Sequence, residues 1–219
     1  MSDLVVYGPA YSVYTRIVRM TLVEKGQDYR FEEVDFISEG MPAAQVARHP
    51  FGVVPALEHE GRILCETSSI CVYLDEVFGA PALRPADAFG RACVAERIAA
   101  FDHYLWPDMR DLVTQSLFAP MVGGWPDESI VERATKRLAR TLRIVENTFL
   151  SDGFMAGGQF TLADLHAGAM VDYIVQTVAG AGLVAELPNL KAWREMMRHH
   201  PSLAATEIDF DAYEWTRRD

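Results

Sequence analysis

The chain has 219 residues, room for one large domain or two small ones and ample for a buried core. Its formal net charge is −11; 6 basic and 12 acidic residues precede Pro81, and 14 and 19 follow from there, so neither half is a basic module. Neutralising nucleic-acid phosphates needs clustered Lys and Arg, and the charge argues against such a partner. No apolar run reaches the roughly 18 residues of a membrane span. Met1-Ser2-Asp3-Leu4 has no basic stretch ahead of an apolar one, so a cytoplasmic protein without membrane attachment is expected. Cys65, Cys71 and Cys93 are too few, and odd in number, for a disulfide framework, which fits a reducing compartment.

Leu4-Val5-Val6-Tyr7 is a short apolar run closed by Gly8-Pro9 and reads as a buried strand. A helix is predicted from near Tyr14 to Lys25, with Ile17, Val18, Met20, Leu22 and Val23 on its apolar side and Gly26 as its stop. Tyr29 to Phe36 alternates as a second strand, and Ala43 to Arg48 forms a short helix. Pro55–Glu58 and Arg62–Cys65 flank Glu60-Gly61 as a hairpin. A third helix runs from about Ser68 to Phe78. The order βαβαββα resembles the thioredoxin-like plan.

Ala80-Pro81-Ala82-Leu83-Arg84-Pro85 is a stiff linker, after which no convincing strand occurs. The expected division is residues 1–80 as an α/β domain, 81–88 as linker and 89–219 as an all-helical domain. Asp87 is placed to cap a long helix carrying Val94, Ile98, Phe101 and Leu105, and Pro107 is expected to kink or break it. Val131 to Phe149 carries the longest helical stripe, with a cationic face of Arg133, Lys136, Arg137, Arg140 and Arg143 read as solvated surface. Thr161-Leu162-Ala163-Asp164 is a capping box, with Phe160 and Leu165 placed for the hydrophobic staple. Pro188 opens a further helix that ends at His199-His200-Pro201. Adjacent histidines do not share a helix face, so no metal site is expected there.

Three segments of the first domain carry chemistry. Tyr7-Gly8-Pro9-Ala10-Tyr11-Ser12 joins strand one to helix one at the carboxyl end of the sheet, where ligands of α/β units sit. Ser12 there is either a plain helix cap or a donor to an anion. Phe51-Gly52-Val53-Val54-Pro55 leads into a strand. A cis Val54–Pro55 bond would turn the Val54 amide and carbonyl toward a ligand, but only about 5–6% of X–Pro bonds in folded proteins are cis, and the residues alone leave this open. Glu66-Thr67-Ser68-Ser69 begins a helix whose first amides and hydroxyls suit a carboxylate, beside an acid that suits an ammonium. Together these match the two charged ends of an α-amino acid; a cap followed by a solvated acid is the plainer reading.

In order and spacing, YGPAYSVYTRIV with LVEKG, HPFGVVPAL, LCETSSICVYL, the proline linker, FTLADL and LPNLKAW with its trailing HHP resemble the glutathione S-transferase family over nearly the whole chain. The resemblance implies a thioredoxin-like N-terminal domain, an all-α C-terminal helical domain, a homodimer and a detoxifying transferase using glutathione as co-substrate without a metal. It assigns the cysteinyl backbone of glutathione to Val54 and Pro55, and the γ-glutamyl end to Glu66 and Thr67. Serine-type members place the thiol-activating hydroxyl four residues before the arginine of helix one, as Ser12 stands before Arg16; Tyr7 is the tyrosine-type alternative, with Tyr11, Tyr14 and Thr15 further ones. Many members carry Lys or Gln where this chain has Val53, a polar group that helps hold the glycyl carboxylate, and the Ser38–Met41 loop offers no basic substitute.

The implied mechanism is thiol activation. A thiol of pKa about 8.5 is only about 3% ionised at pH 7. A hydrogen bond to the ionised form that shifts it by about two units, roughly 2.7 kcal/mol, raises that fraction well over half. Ser12 is the expected donor, and the thiolate then attacks a small hydrophobic electrophile or reduces an organic peroxide. Tyr11, Tyr14, Tyr104, Trp106 and Phe118 are the candidate walls of the acceptor site. Two rivals are a transferase-like interaction module without turnover, which the Val53 departure favours, and a cysteine-dependent thiol–disulfide or deglutathionylating oxidoreductase, for which Cys65 is the nearest thiol.

Overall fold

The computed structural model describes residues 3–36, 40–150, 152–208 and 210. The described residues divide into two compact units, those up to Ala82 together with those from His200 to Phe210, and those from Leu83 to His199.

The first unit is built on four strands, β1 (Leu4–Tyr7), β2 (Arg30–Glu32), β3 (Ala56–His59) and β4 (Arg62–Cys65), in the order β2-β1-β3-β4. Strand β1 is wholly buried, pairs parallel with β2 and antiparallel with β3, and sets Tyr7 opposite both Glu32 and Ala56. The parallel pair needs a crossover, supplied by α1 (Val13–Glu24). Glu60 and Gly61, at φ 51° and 72°, make the tight turn between β3 and β4 that a two-residue hairpin loop favours. Alternation along the strands puts Val6 and Leu57 on one face, while α1 packs on α3 (Thr67–Val77) through a core that includes Ile17, Leu22, Ile70 and Leu74. Val5, Tyr7 and Ala56 look the other way, onto Val34, Met41, Val54 and Cys65 beside the short helix α2 (Ala43–Arg48). The second strand is shorter than the expected Tyr29–Phe36 run, because only three residues pair with β1.

Two buried cations tie this unit together. Lys25 donates to the Asp75 carboxylate at 3.0 Å, to the Pro81 carbonyl at 2.6 Å and to the Gly79 carbonyl, closing the C-terminal end of α3. Arg16 donates Nε to Thr206 Oγ1 at 3.3 Å and Nη2 to the Leu203 carbonyl at 3.2 Å. Leu203 belongs to a short helix (Pro201–Ala205), which packs on α1 in the first unit, although the sequence places it in the helical domain expected over residues 89–219.

In the second unit α4 (Ala88–Ala100) starts at Asp87, whose side chain accepts the Gly90 amide at 2.8 Å. Pro107 does not break it. A π-helical turn over Phe101–Leu105 carries the chain into α5 (Trp106–Val113), and a second such turn over Thr114–Phe118 precedes Pro120 in α6 (Ala119–Met121). Each proline follows a wide turn, which re-routes the hydrogen bonds its missing N–H would have interrupted. Helix α7 (Glu128–Ile144) is capped by Asp127 and ends in another π turn, Val145–Phe149. Helix α8 (Leu162–Ile174) is almost wholly buried and is followed by α9 (Val178–Ala185) and α10 (Pro188–Arg198). The expected capping box is present: Thr161 Oγ1 accepts the Ala163 amide at 3.3 Å, and Asp164 Oδ2 accepts the Thr161 amide at 2.9 Å. Asp164 does more than the motif requires. Its Oδ1 also takes the Met155 amide and the Trp193 indole N–H, each at 2.9 Å, so one carboxylate joins the preceding loop, α8 and α10. Buried Glu146 accepts the Asn189 and Leu190 amides at 2.9 and 2.7 Å and caps α10.

His166, one turn into α8, is fully buried; its Nδ1 donates to the Leu162 carbonyl at 3.2 Å. Burial holds the imidazole neutral and pushes its pKa down to about 4. The unfolded chain, with a pKa of about 6.5, takes up this proton first, so the contribution is present above pH 6.5 and is lost as pH falls toward 4. Urea unfolding should therefore show His166→Leu losing about 3 kcal/mol less stability than wild type between pH 6.5 and 4. Equal losses in the two proteins would contradict the assignment.

Candidate functional site

The three segments singled out in the sequence all belong to the first unit. In the first, Ser12 is the N-cap of α1, and its Oγ accepts the Thr15 amide at 3.3 Å. The Ser12 amide is turned back onto the Pro9 carbonyl at 3.1 Å, and the Ala10 amide is held by both oxygens of the Glu33 carboxylate at 3.1 and 3.2 Å. The buried Thr15 side chain presses on Gly8, where a Cβ would collide with its hydroxyl; only glycine allows this approach. The turn is thus pinned at Gly8, Ala10 and Ser12. The half-buried Ser12 hydroxyl, having accepted one bond, keeps its hydrogen unused among the described residues.

Tyr7 stands differently. Its ring is 7% exposed, Arg48 lies over it with the guanidinium carbon 3.8 Å from the centroid, and its hydroxyl donates to Glu58 Oε2 at 2.7 Å. Burial, reinforced by Glu58, raises the phenol pKa. Tyr11 is buried edge-on to Phe36, with centroids 5.9 Å apart, and burial together with Asp35 and Glu33 raises its phenol pKa strongly. Tyr14 is half-buried on α1.

The second segment runs from α2 into β3. The Val54–Pro55 bond is cis, and Pro55 is buried. Among the described residues no group bonds the Val54 amide or carbonyl. Just upstream, buried Gln45 donates Nε2 to the Val53 carbonyl at 2.8 Å, and the Phe51 amide donates to His49 Nδ1 at 3.3 Å. Val53 is partly exposed. Ser38 and Glu39 of the Ser38–Met41 loop lie outside the described residues.

In the third segment Glu66 sits at φ 66°, ψ 114°, a left-handed setting that costs a non-glycine residue roughly 1–3 kcal/mol. Its carbonyl accepts the Ile70 amide at 2.9 Å and so starts α3, while its carboxylate is left 65% exposed. Thr67, the first residue of α3, is buried. The first amides of α3 have no intrahelical acceptor, as at any helix start.

The acceptor-site candidates are spread over both units. Tyr104 is 69% exposed and lines a cavity of about 1010 Å³ within the helical unit, with Phe101, Pro107, Ile144 and Phe149. Trp106 and Phe118 are half-buried and stand outside that lining. Cys65 donates its thiol to the Arg48 carbonyl at 3.4 Å, and burial, then Glu66, raises its pKa. Cys71 is buried and takes the Thr21 hydroxyl at 3.2 Å. No group of three or more metal-binding side chains occurs among the described residues.

Models of known families match both parts of the chain: the glutathione S-transferase N-terminal domain over residues 6–82 and the glutathione S-transferase C-terminal domain over residues 109–201. The chain belongs to the glutathione S-transferase family. A glutathione S-transferase of Pseudomonas putida is 32% identical over 212 residues, covering 95% of this chain and 93% of its own. The solved structure of a glutathione S-transferase III in apo form superposes with a TM-score of 0.85 at 31% identity, over 94% of this chain and 95% of that one. Glutathione S-transferase I from maize, in complex with an atrazine glutathione conjugate, gives 0.84 at 25% identity over 94% and 96%. The transferase fold accounts for the separate N-terminal sheet unit and the helical remainder.

Gln45, His49, Glu33 and Glu58 were not singled out from the sequence. Each acts through a contact distant along the chain or through a lone polar residue in a short helix, and no spacing marks such a residue. Cys65 should alkylate more slowly than free cysteine in the same buffer at neutral pH, with a midpoint displaced upward, read by mass analysis of the modified peptide. Fast modification at neutral pH would overturn the protonated assignment and revive the cysteine-dependent reading.

Proposed function

We propose that this glutathione transferase ionises the glutathione thiol with the Ser12 hydroxyl, bonds the cysteinyl backbone at Val54 and Pro55, and receives the γ-glutamyl end at Glu66 and Thr67. The observation that carries the reading is the division of labour at Ser12: its oxygen caps α1, and its hydrogen has no protein acceptor among the described residues. A donor fixed at a helix N-terminus favours a thiolate twice, by its hydrogen bond and by the helix dipole. Tyr7 fits the role less well, because its hydrogen is already given to Glu58. The unbonded Val54 amide and carbonyl supply a donor and an acceptor for an extended peptide. Glu66 and the start of α3 offer opposite charge to an ammonium and a carboxylate on one carbon.

The reaction is attack of the thiolate on a small hydrophobic electrophile, in the direction of detoxification; organic peroxide reduction uses the same thiolate. The maize relative whose structure holds an atrazine glutathione conjugate supports an aryl electrophile as the first substrate to test. Tyr11, Tyr14, Tyr104, Trp106 and Phe118 remain the proposed apolar walls for it. A cytoplasmic homodimer is proposed from family membership, and no helix among the described residues is long and apolar enough to cross a membrane. Sedimentation of the wild type should give twice the chain mass; a monomer at micromolar concentration would contradict the dimer.

Turnover of a generic aryl halide tests the mechanism. If Ser12 lowers the thiol pKa by about two units, Ser12→Ala reduces the rate about 20–30-fold at pH 7, and the deficit shrinks as pH rises toward 9, where the free thiol ionises unaided. Tyr7→Phe should stay within about twofold of wild type. The reverse ranking would move the activating role to Tyr7, and a wild type that binds glutathione without turnover would favour the interaction module.

A further inference from the structure

We propose that His49 is a positioning residue for Glu66, presenting a fixed N–H against which the Glu66 carboxylate is set to receive the γ-glutamyl ammonium; the inference rests on the glutathione reading given above. His49 caps the C-terminal end of α2 and is 2% exposed. A backbone amide only donates, so the bond from the Phe51 amide to Nδ1 requires a lone pair on that nitrogen. The neutral ring therefore carries its proton on Nε2, and Nε2 lies 3.9 Å from Glu66 Oε1.

The two partners differ in freedom. The imidazole is enclosed and pinned by Phe51, whereas the Glu66 carboxylate is 65% exposed on a residue whose backbone is already held at φ 66°. At 3.9 Å the pair is short of a direct hydrogen bond. A small rotation of the exposed carboxylate closes it, and a ligand cation on the outer oxygen favours that rotation. An oriented carboxylate loses less freedom when the ammonium arrives, which is the role polar neighbours play behind metal ligands. Gln45, one turn earlier on the same helix, fixes the carbonyl of Val53 next to the peptide-pairing residue. Helix α2 thus braces both proposed anchors of the tripeptide from behind, one through Gln45 and the other through His49.

Two substitutions separate this role from a structural one. His49→Asn keeps a side-chain acceptor within reach of the Phe51 amide but loses the reach toward Glu66, while His49→Gln places an amide N–H near the Nε2 position. His49→Asn should raise KM for glutathione about 5–10-fold, with kcat and the KM for the electrophile within about twofold and the melting temperature unchanged. His49→Gln should restore KM toward wild type. In a Glu66→Ala background His49→Asn should add nothing, because the side chain it acts through is gone. An equal penalty in both backgrounds, a fall in kcat at constant KM, or no change in KM would overturn the role. If Glu66→Ala itself leaves glutathione KM unaltered, the γ-glutamyl assignment fails first, and the two failures are thereby told apart.

Discussion

A hydroxyl has one hydrogen and two lone pairs, and the way the fold divides them at Ser12 is the constraint on which the catalytic account depends. The oxygen accepts the Thr15 amide, as a helix N-cap does, and this orients the side chain without consuming its hydrogen. A cap and a catalytic donor are therefore compatible in one residue. The surrounding turn keeps the geometry: Gly8 admits the Thr15 side chain, and the Glu33 carboxylate holds the Ala10 amide. On the proposed mechanism the protein supplies no base and no nucleophile of its own. It supplies a differential preference for the ionised sulfur, and the substrate's thiolate does the chemistry.

Sheet topology explains why three segments distant in the chain come to one end of the sheet. With β1 between β2 and β3, the turn that leaves β1 at Tyr7 lies opposite the start of β3 at Ala56. Ala56 in turn pairs with Cys65, the last residue of β4, immediately before Glu66 and α3. The end of β1, the entry to β3 and the exit of β4 thus lie at one edge by register alone, which brings Ser12, Val54 and Glu66 to the same end of the sheet. Alternation does the rest: Tyr7 faces Ala56 and Val54 in the packed cluster, where its hydroxyl donates to Glu58.

The sequence made the elements and the three segments legible because each has a local cause. Apolar runs, caps and turn residues act within a few positions, and the Thr161–Asp164 box and the Asp87 cap appear as spacing requires. What stayed hidden was non-local. The bond that occupies the Tyr7 hydroxyl goes to Glu58, a residue 51 positions away. The reach of Asp164 to Trp193 and of Glu146 to the start of α10 follows from packing, not from a motif. A proline in a helix pattern signals a kink or a break; at Pro107 the π turn just before it carries the chain on without a break. The Pro201–Ala205 helix joins the first unit through Arg16, whose buried guanidinium looks like any helix-surface charge when only its neighbours are known.

The most direct test of the central claim is a pH titration of the thiol of bound glutathione, followed by the ultraviolet band of the thiolate, in wild type and Ser12→Ala. The account predicts a midpoint near pH 6.5 for wild type, about two units below the free thiol, and a return toward about 8.5 once the hydroxyl is removed. A midpoint unchanged by that substitution would contradict it.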